Sequence, residues 1–227
     1  MMSDGYAVWL YGSHARGDKD SQSDVDVFVA GTPCVSLDEL EDNVPIPLNS
    51  ASLSRYSWDE IYGMAKYGSL FLHHLRLEGR PLYESPSCKG TLGSILLGLG
   101  EYQCVDRDLG GFRTVLHDVG GALRDEGTEV FELSVLGTVI RHCSILGCWV
   151  LGQPSFGRIE PVDLIVRALR LPLCIAREFP NLYQYRLYVD GRIADPRSLT
   201  KLQPHEWLRR AEALVAKVEE LARERHR

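Results

Sequence analysis

The chain has 227 residues, 44% of them hydrophobic, and a formal net charge of −6. That length and apolar content suffice for a sizeable core in one or two domains. The acidic balance argues against a protein that grips long nucleic acid through its phosphates, which calls for a basic surface.

In chain order, Tyr6–Tyr11 is a short apolar run and reads as a strand. It leads into Gly12-Ser13, then Ala15-Arg16-Gly17, a polar spacer, and Asp24-Val25-Asp26 at the head of a second apolar strand, Asp24–Ala30. Side chains alternate faces along a strand, so Asp24 and Asp26 share one. Carboxylates so placed repel each other, and a hard divalent cation, Mg²⁺ or Mn²⁺, would relieve the repulsion. Gly12 lets the backbone turn sharply and approach a ligand closely. Ser13 can cap a following helix or donate its hydroxyl to a phosphate oxygen. A helix N-terminus here would add backbone N–H donors toward an anion. Arg16 and Lys19 offer cations suited to phosphates, one as a planar fork and one as a point charge. His14 either reaches a phosphate or base or faces solvent from the helix. A Gly-Ser turn or an Asp-x-Asp pair alone occurs by chance on solvated hairpins; the ordered combination is what points to a triphosphate and a metal.

Further along, Leu37–Asp42 reads as a short acidic helix or turn, and Ile46–Tyr56 holds a third strand. Trp58–Glu78 has helical spacing, and Arg80–Tyr83 reads as a short edge strand. Ser85-Pro86-Ser87 looks like a boundary, dividing residues 1–86 from 87–227. From there the pattern is helical: Leu92–Leu99 (weakened by glycines), Arg107–Arg124, Glu129–Val150, Pro161–Leu171, part of Pro172–Val189 with Pro180 as a break, and the amphipathic His205–Arg225. The fold class is α/β (α+β), a small mixed-sheet domain followed by a helical bundle. Leu133–Gly152 could mimic a membrane span, but Arg141 and His142 interrupt it, so a buried helix is expected. Cysteines 34, 88, 104, 143, 148 and 174 show no Cys-x-x-Cys spacing and read as buried free thiols of a cytoplasmic protein. The first strand starts too early to leave room for a targeting peptide. His73 and His74 point about 100° apart on a helix and do not form one metal site.

Gly12-Ser13, Ala15-Arg16-Gly17 and Ser23-Asp24-Val25-Asp26 together resemble the signature of the minimal nucleotidyltransferases of the DNA polymerase β-like superfamily. The resemblance is sharp over residues 6–30 and extends to about residue 84. It implies that Gly12 and Ser13 cradle the triphosphate, with Arg16 and Lys19 assisting, and that Asp24 and Asp26 are the catalytic metal ligands. It implies a magnesium- or manganese-dependent transfer of a nucleoside monophosphate, AMP from ATP in the first instance, onto a hydroxyl. The layout is similar to that of kanamycin-type antibiotic nucleotidyltransferases, whose helical part covers a small acceptor, and to fusions with HEPN-type helical domains. HEPN nucleases separate an Arg and a His by four to six residues; here Arg113 and His117 have three between them, and Arg141-His142 are adjacent. That spacing predicts a structural pair rather than a ribonuclease.

The family places a third carboxylate on a later strand, and Val44–Tyr56 contains no Asp or Glu. Asn49 and Ser52 are the nearest polar substitutes. Asp118, Asp125, Glu126, Glu129 and Glu132 of the helical part are the carboxylates that could fill the gap. The alternative is a catalytically weakened nucleotide-binding protein, or an antitoxin-like protein that holds a helical partner. A homodimer is a further partner expectation, and a membrane is not.

Overall fold

The computed structural model describes residues 5–20, 22–31, 35–49, 51–124, 129–196 and 201–225. The chain divides into two compact units, Met1–Gln103 and Cys104–Arg227.

The first unit runs β1 (Ala7–Tyr11), α1 (Gly12–Arg16), β2 (Val25–Ala30), α2 (Leu37–Asn43), β3 (Ala51–Tyr56), α3 (Trp58–Lys66), α4 (Leu70–Glu78), β4 (Arg80–Glu84), a 3₁₀ turn (Pro86–Cys88) and α5 (Thr91–Leu97). The sheet is mixed, in the order β3-β2-β1-β4. β1 pairs antiparallel with both β2 and β4, and β2 pairs parallel with β3. β4 is an edge strand, which tolerates the missing N–H of Pro81.

Strand alternation sorts two cores onto the two faces. Ala7, Tyr11, Phe28 and Ala30 pack with Trp58, Ile61, Leu72 and Leu75. Tyr6, Val8, Val27 and Val29 pack with Leu40, Val44 and Leu48. Asp26, two residues before Phe28, falls on the Tyr11–Phe28 face.

The expected single helix over 58–78 is two. Ser57 and Glu60 form a reciprocal capping box that starts α3. Gly68 then adopts φ +64, with its backbone so close to the carbonyls of Gly100 and Glu101 that a Cβ would lie 2.6 and 2.4 Å from their oxygens. Only glycine fits that corner, and α4 restarts beyond it. The boundary also differs. Ser85 donates its N–H to the Tyr6 carbonyl and accepts the Tyr6 N–H on its hydroxyl, so it is a tether rather than a linker. Cys88, Leu92 and Leu96 complete the first core, which keeps the segment after residue 86 with the sheet.

Among the described residues, the second unit holds the helices α6 (Val105–Arg124), α7 (Glu129–Val150), α8 (Glu160–Ala168), α9 (Cys174–Val189) and α10 (Pro204–Arg225). α7 packs against each of the other four. It is long and apolar enough to cross a membrane, but 67% of its most apolar window is buried within the protein. Arg141 turns its charge to account by donating to the carbonyls of Phe156 and Gly157. Pro180 does not break α9, which continues through it. The ring removes one helix hydrogen bond, and the buried Phe179, Leu182 and Tyr185 hold the helix by packing.

All five described cysteines are free; Cys88, Cys143 and Cys148 are buried, while Cys104 and Cys174 are partly exposed. Cys34 lies outside the described residues.

Candidate functional site

The sequence between β1 and β2 folds into a turn, one short helix and a loop. α1 is only five residues long and ends where the Gly17 N–H donates to the Ser13 carbonyl. The following loop is tied by its own side chains. Asp20 Oδ1 accepts the Gln22 N–H at 2.9 Å and the Ser23 hydroxyl at 2.8 Å, and Ser23 Oγ accepts the Asp20 N–H at 3.0 Å. These bonds fix the chain just before Asp24, which gives the serine of Ser23-Asp24-Val25-Asp26 a structural task.

Asp26 sits opposite Tyr11 in the β1–β2 register, and Asp24 immediately precedes β2. Gly12 has φ +70, and a Cβ placed there would lie 2.5 Å from Asp26 Oδ2. The bare Cα of the turn therefore rests against the second carboxylate, and any side chain would push the two apart. Both aspartates are partly exposed, as are Ser13 and His14, and Lys19 is exposed on the loop after α1. Tyr11 lies beneath this group, with its hydroxyl 2.9 Å from Ser54 Oγ. Its pKa is pushed up to about 12, first by burial and then by the negative charges of Asp26 and Asp24, against the Ser54 hydrogen bond. The register with Tyr11 puts Asp26 on the Tyr11 side of the sheet.

Arg16 is engaged elsewhere. Its Nη1 is 2.5 Å from Glu78 Oε2 on α4, and its Nε donates to Asp18 Oδ2 at 3.1 Å. His74, one turn before Glu78, places Nε2 at 2.7 Å from the same Oε2. Burial alone would raise the Glu78 carboxyl, but the hydrogen bonds and charges of His74 and Arg16 together hold it below its usual value. His73 turns the other way, is buried, and bonds the Gly100 carbonyl through Nε2 at 3.0 Å. The two histidines separate as their helical angle requires. The His74–Glu78 pair was visible in sequence only as an i, i+4 spacing, and nothing local pointed it at Arg16.

β3 puts Ser52 beside Asp26 and Ser54 beside Phe28. No carboxylate occupies that strand, and Asn49 is exposed before it. Among the described residues, no three His, Cys, Asp or Glu side chains converge. Asp118 is exposed, and so is Glu129; Glu132 is buried in α7, with Oε2 lacking a hydrogen-bond partner among the described residues. Asp125 and Glu126 lie outside the described residues. Arg113 pairs with Glu219 of α10 at 3.1 Å, and His117 is exposed.

Two hard carboxylates, against a turn stripped of its Cβ, suit a divalent cation that keeps several waters and shares its remaining positions with phosphate oxygens. Asp24 and Asp26 are the residues that would hold it.

Residues 2–67 match the family model described as "Nucleotidyltransferase domain". The N-terminal segment is thereby supported as a nucleotidyltransferase-type domain. The match covers β1 through α3 and includes every residue of the Gly12–Asp26 arrangement. It supports nucleotidyl transfer as the general chemistry. No curated protein matches the chain.

Proposed function

We propose that this chain transfers a nucleoside monophosphate, AMP from ATP, onto a hydroxyl of a small molecule or of a partner protein and releases pyrophosphate. The observation that carries this reading is the close approach of the Gly12 turn to Asp26 Oδ2, inside the segment that the family model covers. The acceptor oxygen attacks the α-phosphorus, the bond from that phosphorus to the bridging oxygen of pyrophosphate breaks, and the acceptor proton leaves to a base. Gly12 and Ser13 bind the outer phosphates through the backbone of the turn and the Ser13 hydroxyl. Lys19 supplies an exposed cation from the loop after α1. Asp24 and Asp26 would hold Mg²⁺ or Mn²⁺, which would supply positive charge to the phosphates at the site. The free described thiols fit a cytoplasmic setting.

The strand β3 favours a second reading. With Ser52 where the third carboxylate would stand, the chain binds Mg²⁺–nucleotide and turns it over slowly or not at all, or serves as an antitoxin-like partner of a helical protein.

Thermal melts with ATP, GTP, CTP and UTP, each with Mg²⁺, and an assay of pyrophosphate release test the pair of readings. A metal-dependent rise in Tm is expected by mass action. It should vanish in Asp24→Asn/Asp26→Asn, and pyrophosphate release should fall on the order of 10³-fold or more, since a metal contributes several kcal/mol to the transition state. Full-rate release by that double variant would sink the enzymatic reading. A nucleotide-dependent shift with no release for any acceptor tried would leave the binding protein.

A further inference from the structure

α1 is too short to be stable alone, because helices well under about 12 residues are marginal in water. Something outside it must set its place, and with it the place of the Gly12–Ser13 turn at its head. Ala15 of α1 is buried, and two further ties hold the helix ends. At the N-terminal end, Gly12 lies against Asp26. At the C-terminal end, Arg16 is clamped by Glu78, a side chain with 14% of its surface exposed, while Arg16 itself is 22% exposed. Glu78 Oε2 receives two donors, Arg16 Nη1 at 2.5 Å and His74 Nε2 at 2.7 Å. The His74 ring meets Tyr11 edge-on, with centroids 5.5 Å apart, and Tyr11 is the register partner of Asp26. The contacts therefore form a closed circuit: Asp26, Tyr11, His74, Glu78, Arg16, α1, Gly12 and back to Asp26.

We propose that Glu78, oriented by His74, is a positioning residue for the triphosphate turn, and that Arg16 acts through this clamp rather than as a phosphate ligand. The inference rests on the nucleotidyltransferase reading and deepens it. Three features carry it. Arg16 has carboxylates on both Nη1 and Nε, so most of its attraction for an anion is already met. Glu78 would repel a triphosphate unless its charge were answered, and Arg16 answers it. The single oxygen that receives both donors links α4 to α1 at a fixed spacing, which a lone Arg–Glu pair on a surface would not do. Lys19 and the turn's N–H groups remain for the phosphates.

The two roles for Arg16 predict opposite effects at Glu78. As a phosphate ligand, Arg16 would be released by Glu78→Gln, and ATP would bind as well or better. As a clamp, Arg16→Ala and Glu78→Gln should each weaken ATP·Mg²⁺ binding by about 10-fold, and the double variant should bind no worse than either single one. That non-additivity is expected of residues within one network, whose couplings reach about 0.5–3 kcal/mol.

The test is a double-mutant cycle read as the Kd for ATP with Mg²⁺ by titration calorimetry, with Tm of each free protein measured alongside. The exchanged pair Arg16→Glu/Glu78→Arg should recover part of the affinity lost by Arg16→Glu alone, and this holds as a criterion even where a single variant folds poorly. Glu78→Gln that binds ATP like the original chain, additive losses, or no recovery in the exchanged pair would each overturn the proposal. An original chain with no metal-dependent ATP binding would overturn the nucleotidyltransferase reading and the clamp with it; binding by the original chain and by Glu78→Gln alike removes the clamp only.

Discussion

β2 and β3 run side by side and parallel, matched from Val25 and Ala51 to Ala30 and Tyr56, yet only one carries acidic chemistry. β2 presents Asp26 to the face shared with Tyr11, and Asp24 immediately precedes the strand. β3 presents Ser52 and Ser54 to the same face. The two strands have equal access to the site, so the absence of a third carboxylate is a matter of side chain and not of backbone placement. The neighbouring polar groups reflect this asymmetry. Ser54 shares a hydrogen bond with the Tyr11 hydroxyl, whose pKa is raised first by burial and then by the aspartates.

The strongest way to break the contrast is to make β3 resemble β2. Ser52→Asp would set a carboxylate beside Asp26 on the adjacent strand. Without metal it should lower Tm, because like charges in register repel. With Mg²⁺ the loss should reverse, and pyrophosphate release should rise toward the roughly 10²–10⁴-fold that a positioned base contributes. A variant whose Tm ignores Mg²⁺ would show that Ser52 is not beside a metal position.

Tyr11 sharpens the contrast at high pH. Its folded pKa is about 12 against 10.0 for the unconstrained phenol, so the folded state binds the extra proton between those values. Stability from this group is complete below pH 10 and is lost as pH rises toward 12, by at most about 2–3 kcal/mol. Tyr11→Phe should flatten that part of the urea-denaturation profile. An unchanged alkaline slope would mean that Tyr11 is not the titrating group.

A smaller effect is expected at the turn. Gly12→Ala introduces a Cβ 2.5 Å from Asp26 Oδ2 at a positive φ. The left-handed conformation alone should cost about 1–2 kcal/mol in urea denaturation. The displaced aspartate should reduce the Mg²⁺-dependent Tm shift as well, whereas Gly17→Ala, which meets nothing within 4 Å, should leave that shift in place.

Sequence alone carried the parts of this protein that are written in local patterns. Strand alternation assigned Asp26 to one face, the apolar runs marked β1 and β2, and long amphipathic or apolar spacing marked α6, α7 and α10. Each depends on periodicity within a single element, which a reader of the chain can follow. Tertiary structure decided what depends on a distant partner. The break between α3 and α4 was set by carbonyls of residues 100 and 101 pressing on Gly68. The boundary after Gln103 was set by Cys88, Leu92 and Leu96 returning to the sheet. Arg16 looked like any cation beside the Gly12–Ser13 turn until the fold brought Glu78 to it across 62 residues. Local spacing has no term for such meetings, because they are fixed by which surfaces bury each other and not by the order of neighbouring residues.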